Sequence, residues 1–236
     1  MLKISILTVF LVSLFTSKNI QAGEKSLYDF LWLDPDKKVY VLQNKLYKKE
    51  HTFYADLGYL ANFTSKFQNT NGLNVKTGFF LKEEWGVELF YSQYSNTDND
   101  DWKNVRNING ADPFVRRLNS AYGLMAIWSP FYGKINTFNR IFYFDWSFGL
   151  GLSKINAESN RKNVDDQNLE STYDKEAYSA FAWKTNFKFH LKENVHLAVE
   201  WLQQHYKAPG PNRNGKTGSE KFRSNQDLIL SVGFSF

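Results

Sequence analysis

Cysteine is absent from the 236 residues. Its absence excludes a disulfide framework, a thiolate metal site and a thiol nucleophile. It also excludes the lipid anchor of a bacterial lipoprotein, which needs a cysteine just after the export signal. No stretch approaches the roughly 18 apolar residues of a transmembrane helix. Excess charge is small, +5 over the whole chain. Removing Lys3 and Lys18 with the export signal leaves about +3, too weak and too scattered for nucleic acid. No GxSxG motif occurs. The acidic stretch 96–112, with Asp98, Asp100, Asp101 and Asp112, lacks the glycine and closing glutamate of a calcium loop.

What the chain has in quantity is aromatic side chain, 17% of residues, beside a negative mean hydropathy of −0.49. A chain both aromatic-rich and polar on average points to strands with one apolar and one wet face. The N-terminus reads as a secretory signal, Met1 to Ala22. Lys3 supplies the positive start and Ile4 to Phe15 the apolar centre, too short to span a bilayer. Ala22 is a small residue at the cleavage point. The chain therefore divides into a signal at 1–22, a segment at 23–50 and a barrel at 51–236.

From His51 onward eight runs alternate with period two. They are 51–63, 72–82, 86–95, 117–128, 140–153, 177–191, 194–206 and 224–236. Most exceed the five or six residues of an ordinary strand and suit the 9–11 that cross a bilayer. Links at 83–85 and 192–193 are tight, and 129–139 is intermediate. Links at 64–71, 96–116, 154–176 and 207–223 are long and polar. Short turns at one end and long loops at the other are the asymmetry of a bacterial outer-membrane barrel.

One face of each run is bulky and apolar. In the fifth run Phe142, Phe144, Trp146, Phe148, Leu150 and Leu152 oppose Tyr143, Asp145, Ser147, Gly149 and Gly151. In the seventh, Val195, Leu197, Val199 and Trp201 oppose His196, Ala198 and Glu200. Eight strands leave an interior just wide enough for side chains, so the small face fits the lumen and the aromatic face fits lipid. The expected fold is all-β, a transmembrane eight-stranded antiparallel up-and-down β-barrel. A secreted lipocalin-like ligand carrier is the rival, with the apolar face turned inward.

The inward positions then include Asp56, Lys76, Glu88, Asp145, Lys184, Lys188, Glu200 and Asp227. Isolated buried charges cost several kcal/mol, so these form an ion network that plugs the barrel; a narrow ion-conducting or porin-like path is the alternative. Tyr59, Trp85, Trp128, Tyr132 and Tyr206 stand near strand ends and are expected in the interfacial girdles, as are Phe63, Tyr91, Tyr94, Phe131 and Tyr143. Thr77, Thr185 and Gln203 interrupt the apolar face and mark possible contacts between copies.

Leu228, Leu230, Val232, Phe234 and Phe236 alternate to a terminal aromatic. This run resembles the C-terminal assembly signal read by the barrel-insertion machinery. A narrower likeness lies in Val39-Tyr40-Val41-Leu42-Gln43, Glu84-Trp85-Gly86-Val87-Glu88, Pro130-Phe131-Tyr132-Gly133-Lys134, and Phe144-Asp145 through Gly149-Leu150-Gly151. From about residue 37 onward the chain resembles the outer-membrane β-barrel domain family of predatory and gliding bacteria, the myxobacteria, Bdellovibrio and relatives. The resemblance implies a small envelope barrel without catalytic residues, serving a surface machine or assembling with copies of itself.

Asp34-Pro35-Asp36 marks a turn. The rest of 23–50, with Leu27, Phe30, Leu31 and Trp32, reads either as a short amphipathic element at the rim or in the lumen, or as a tail. Of His51, His190, His196 and His205, only His205 falls near the outer end, without a convincing serine beside it. The loop 207–223 carries Lys207, Arg213, Lys216, Lys221 and Arg223; a solvated loop is the first reading, and contact with lipopolysaccharide phosphates the second. The sequence thus predicts an outer-membrane protein with long loops outside and termini in the periplasm. Its partners are membrane lipid, lipopolysaccharide, the insertion machinery and a possible second copy, with no cofactor, metal or nucleic acid and no enzymatic role. N-terminal sequencing of the exported protein should begin at Gly23; an intact Met1 end would make the first segment an anchor instead.

Overall fold

The computed structural model describes residues 45–110, 112–137, 140–162, 164, 172–212 and 216–236. The expected signal at 1–22, most of the 23–50 segment and Arg213 lie outside them. Eight antiparallel strands follow one another in chain order: β1 (Phe53–Asn62), β2 (Gln68–Phe80), β3 (Trp85–Asp98), β4 (Arg116–Thr137), β5 (Arg140–Ser159), β6 (Asp174–His190), β7 (Val195–Pro209) and β8 (Glu220–Ser235). Each pairs with its neighbours, and β8 returns to β1, with Tyr54 opposite Ser235 and Asn62 opposite Asp227. The sheet is therefore a closed up-and-down barrel.

Both tight turns are built alike. The N–H of Leu81 donates to Trp85 O at 2.9 Å, and the N–H of Leu191 to Val195 O at 2.9 Å. These turns and the 138–139 link share one end of the barrel with the start of β1 and the finish of β8, the terminal end. The other end, the loop end, carries the connections 63–67, 99–115, 160–173 and 210–219.

Several boundaries depart from expectation; the links expected at 154–176 and 207–223 shorten to 160–173 and 210–219 because the flanking strands run further, and three other departures change the architecture. Residues 129–137 are not a link but the continuation of β4, past a bulge in which Trp128 and Phe131 face Phe148 and Trp146. One extra residue on one strand bends it and shifts its pleat, and Pro130 sits in that bulge. The first loop shortens to 63–67 because β2 begins at Gln68. The acidic stretch belongs partly to β3 and partly to a helix, α1 (Asp100–Asn109). Its cap is local: the Asn99 side chain accepts from the Trp102 N–H, Asp100 and Asp101 sit in the first turn, and Arg106 in the last. Gly110 closes it at φ 67°, a conformation that costs a residue with a Cβ.

The period-two pattern sorts into two environments. Outward, each strand exposes a large apolar side chain at mid-height: Leu57, Val75, Leu89, Leu124, Leu150, Phe181, Val199 and Leu230. In water each would forfeit about 1.5–3 kcal/mol of burial. Inward are Asp56, Lys76, Glu88, Asp145, Lys184 and Glu200, all buried. That arrangement is the reverse of a soluble carrier barrel and overturns the lipocalin-like alternative. It is the arrangement of a barrel whose solvent is lipid. Among the described residues no helix is long and apolar enough to cross a membrane.

Leu150→Arg should therefore cost about 2–4 kcal/mol in denaturant unfolding from lipid vesicles, as a charge at mid-bilayer does. An unchanged midpoint would place Leu150 in water.

Candidate functional site

The lumen is filled in storeys. Nearest the terminal end, Lys49 reaches in from the segment before β1. Its Nζ donates to Ser129 Oγ at 2.7 Å and to Asp145 Oδ1 at 2.6 Å. Asp145 Oδ2 meets His190 Nε2 at 2.7 Å, and Tyr47 stacks on the His190 ring at 4.4 Å. Residues 45–50 thus turn into the mouth as a latch. Glu83, in the β2–β3 turn, holds its outer side, pairing with Lys45 at 2.7 Å and accepting the N–H of Lys49 at 3.0 Å. Partial burial would raise the Glu83 carboxyl, but Lys45 and the backbone N–H groups of Lys49 and Glu50 outweigh it and hold it below the usual carboxylate range.

The next storey centres on Glu200. Its Oε2 accepts from Lys76 Nζ at 2.6 Å and from Lys184 Nζ at 2.8 Å. Lys184 also pairs with Glu88 Oε1 at 2.5 Å, and the Tyr54 hydroxyl donates to Glu88 Oε2 at 2.6 Å. Asp56 lies 3.5 Å from Lys76 through Oδ2 and 2.7 Å from His196 Nε2 through Oδ1. Gly233 leaves room for this contact, since a Cβ there would run into Asp56 and His196. Lys188 lies over the Tyr54 ring at 4.0 Å and, among the described residues, has no carboxylate at ion-pair distance. Four lysines, 49, 76, 184 and 188, thus share the lower lumen with four carboxylates, 56, 88, 145 and 200.

Above this storey Leu60, Phe90, Met125, Ile155, Leu202 and Ile229 form an apolar layer. Asp227 stands apart beyond it. It accepts from Asn62 Nδ2 at 2.6 Å, the Tyr94 hydroxyl at 2.7 Å and Asn225 Nδ2 at 3.0 Å. At the loop end Glu176 joins Arg116 at 3.1 Å and Arg161 at 2.7 Å.

The structure thus brings seven of the eight inward charges into one region and holds Asp227 elsewhere by neutral donors. The void left beside the network, between Lys49, Tyr54, Glu88, Lys184 and Lys188, is about 10 Å³, room for about one water molecule. Larger hollows open toward the two mouths, about 590 Å³ at the terminal end and 430 Å³ at the loop end.

The girdle needs correction. Tyr59, Trp85 and Trp128 are exposed on the outer wall, with Trp85 and Trp128 stacked at 6.0 Å. Tyr206 and Tyr94 point inward and are buried. Their places near strand ends suggested a girdle, but they share the parity of Glu200 and Glu88. Tyr132 also lies on the inner face, opposite Asp145, because the bulge at Ser129 and Pro130 reverses the alternation counted from Trp128. Its hydroxyl accepts the Leu46 N–H at 3.2 Å. The hydroxyls of Thr77 and Thr185 have partners in their own wall, Tyr54 O at 3.0 Å and the Trp146 indole at 2.8 Å.

Sequence reasoning missed Lys49, Tyr47, Tyr54, His190 and His196 as members of the network. Parity places Tyr54, His190 and His196 inward; no local pattern marks Lys49 or Tyr47. Ser235 Oγ, His196 and Asp56 stand in a row, with Ser235 3.3 Å from His196 Nδ1. The adjacent N–H groups, of Ser235 and Phe236, are bound to Asn194 O and Phe53 O. Neither is free to serve as the oxyanion donor that acyl transfer requires. The acidic residues near α1 take local partners, Asp98 with Arg117 at 3.1 Å and Asp100 with Lys103 at 3.1 Å. Among the described residues no three acidic or histidine side chains form a metal cluster.

Glu200→Ala should leave Lys76 and Lys184 uncompensated and cost about 3–5 kcal/mol, read as a lower denaturant midpoint in vesicles. A change under about 1 kcal/mol would mean that water, not Glu200, neutralises the two lysines.

No family model matches the chain, and no curated protein matches it. Among solved structures the chain is similar to the N-terminal β-barrel domain of Pseudomonas aeruginosa OprF, with 14% identity, TM-score 0.46, and coverage of 79% of this chain and 98% of that one. It is also similar to Ail, the attachment invasion locus protein of Yersinia pestis, with 12% identity, TM-score 0.45, and coverage of 79% and 99%. A third is Neisserial surface protein A, with 13% identity, TM-score 0.44, and coverage of 78% and 96%.

Proposed function

We propose that this chain is an integral outer-membrane protein whose barrel is a closed scaffold, with a structural or interaction role in the cell envelope. The observation that carries the reading is the pairing of an apolar outer wall with a lumen filled by ion pairs. The expected export signal supports the outer membrane, and among the described residues no helix is long and apolar enough to cross it, so the strands are what can span. The terminal end is then periplasmic, and α1 and the longer loops face outward. Membrane lipid and lipopolysaccharide meet the wall. Leu228, Leu230, Val232, Phe234 and Phe236 alternate along its outer side, where the insertion machinery reads them. The narrower kinship with the barrel family of predatory and gliding bacteria rests on the short motifs quoted above. A self-assembling role belongs to the same proposal.

The ion-path alternative requires a hydrated line of charges. The network instead leaves space for about one water, and wide aqueous lumens belong to barrels of about 16 strands. The purified protein should therefore show no steady conductance in planar bilayers. A cysteine at Ile108, exposed on α1, should react with an impermeant maleimide on intact cells, and one at Lys82 only after permeabilisation. Labelling in the opposite order, or a stable open conductance, would contradict the proposal.

A further inference from the structure

The rim of the barrel is uneven at the loop end. β1 stops at Asn62, opposite Asp227, whereas β8 extends to Glu220. The hollow of about 430 Å³ lies at this step, between the β1–β2 loop, the start of β4 and the first residues of β8. Each of the three supplies one cation to its lining: Lys66, Arg116 and Arg223. The lining includes the rings of Phe67, Phe114 and Phe222 and, among the described residues, no carboxylate. Asn62 and Asn225 line the hollow and donate to Asp227, which does not line it.

The three cations are not equally engaged. Arg116 is committed, donating from Nε to Glu176 at 3.1 Å and from Nη2 to Pro209 O at 2.8 Å. Glu176 is itself shared with Arg161. Lys66 and Arg223 form no ion pair among the described residues. Arg223 sits opposite Tyr206 and so turns inward, and its Nε is closed off from solvent without a hydrogen-bond partner among those residues. An enclosed donor left unmatched is unfavourable. The Arg223 and Arg116 guanidiniums lie 6.0 and 5.4 Å from the Phe114 ring centre.

The walls are held in place. The Gln226 N–H donates to Thr64 Oγ1 at 2.9 Å, and Asn99 donates from its N–H to Phe67 O at 3.1 Å and from Nδ2 to Lys66 O at 2.8 Å. Asn160 fixes the facing segment, accepting the Val115 N–H at 2.8 Å and donating to Pro113 O at 2.9 Å. Walls already ordered lower the cost of binding.

We infer that this hollow binds a phosphate group carried on a sugar. The surplus positive charge favours a doubly charged anion, and the guanidinium fork matches phosphate oxygens. The volume falls within the roughly 300–1,000 Å³ of small-molecule sites, and the aromatic rings offer apolar faces to the sugar. The inference goes beyond the envelope role proposed above. Binding itself needs only the barrel, whereas the source of the sugar rests on the loop end facing outward.

Full-length protein in detergent micelles would be titrated calorimetrically with glucose 6-phosphate and with glucose. The sugar phosphate should bind one to one, more tightly than glucose, and more weakly as salt is raised. Arg223→Gln should weaken it about tenfold or more, Arg223→Lys less, because lysine keeps the charge and loses the fork. No binding, equal binding of glucose, or unchanged affinity in Arg223→Gln would overturn the inference. Amide chemical shifts of the unmodified protein guard against a variant that fails to fold. Residues 64–66 and 223–225 should move on titration with glucose 6-phosphate, and movement confined to the terminal mouth, at Lys48 and Lys192, would refute the site. Deacylated lipopolysaccharide core oligosaccharide separates the two sources. Tighter binding of the phosphorylated core than of glucose 6-phosphate, lost on dephosphorylation, assigns the ligand to the membrane's own surface; weaker binding assigns it to the outer medium.

Discussion

The ladder between β1 and β8 is the constraint on which the rest of the molecule depends. Closing the ring satisfies the backbone of both strands without water, the condition that lets a sheet span lipid. Closure at eight strands also sets the lumen's width. Once the ring is this narrow, inward positions must hold small residues or long side chains lying along the axis. Gly233, Ala182 and Ala198 are the first kind, and Lys76, Lys184 and Glu200 the second. The outward positions carry no such limit and hold the bulk.

The charges in the lumen follow from the same geometry. Glu200 on β7 takes Lys76 from β2 and Lys184 from β6, joining walls that face one another across the barrel. Replacing such a network by apolar side chains is often neutral or stabilising, whereas removing one member strands its partners. The network is therefore better understood as fixing how the lumen is filled than as a source of surplus stability. Lys49 extends it to a segment outside the ring. Asp145, cross-strand neighbour of Lys188, is occupied by Lys49 and His190, which leaves Lys188 on the Tyr54 ring. The latch and the lumen network thus share that one carboxylate.

Much of this architecture could be read from alternation alone. Period two carries strand number, order and the inward or outward direction of most side chains, because a strand's faces are set by local geometry. Its failures are equally physical. One extra residue at Ser129 and Pro130 reversed the face of Tyr132 and hid the extension of β4 behind what read as a link. The position of Tyr206 near a strand end suggests a girdle, whereas its parity with Glu200 points inward, where it is buried. Helix α1 has a readable cap, Asn99 followed by Asp100 and Asp101 and closed by Gly110, but no apolar stripe to announce it. Lys49 could not be found at all. Its partner Asp145 is 96 residues away in sequence, and only the closed ring brings them together.

Folding as a closed barrel in the outer membrane is the property on which every other feature depends. The most direct measurement is electrophoresis of the outer-membrane fraction in detergent, with and without boiling. A faster-migrating band that shifts to the unfolded position on boiling is the predicted result. A soluble periplasmic protein whose mobility does not change on boiling would contradict it.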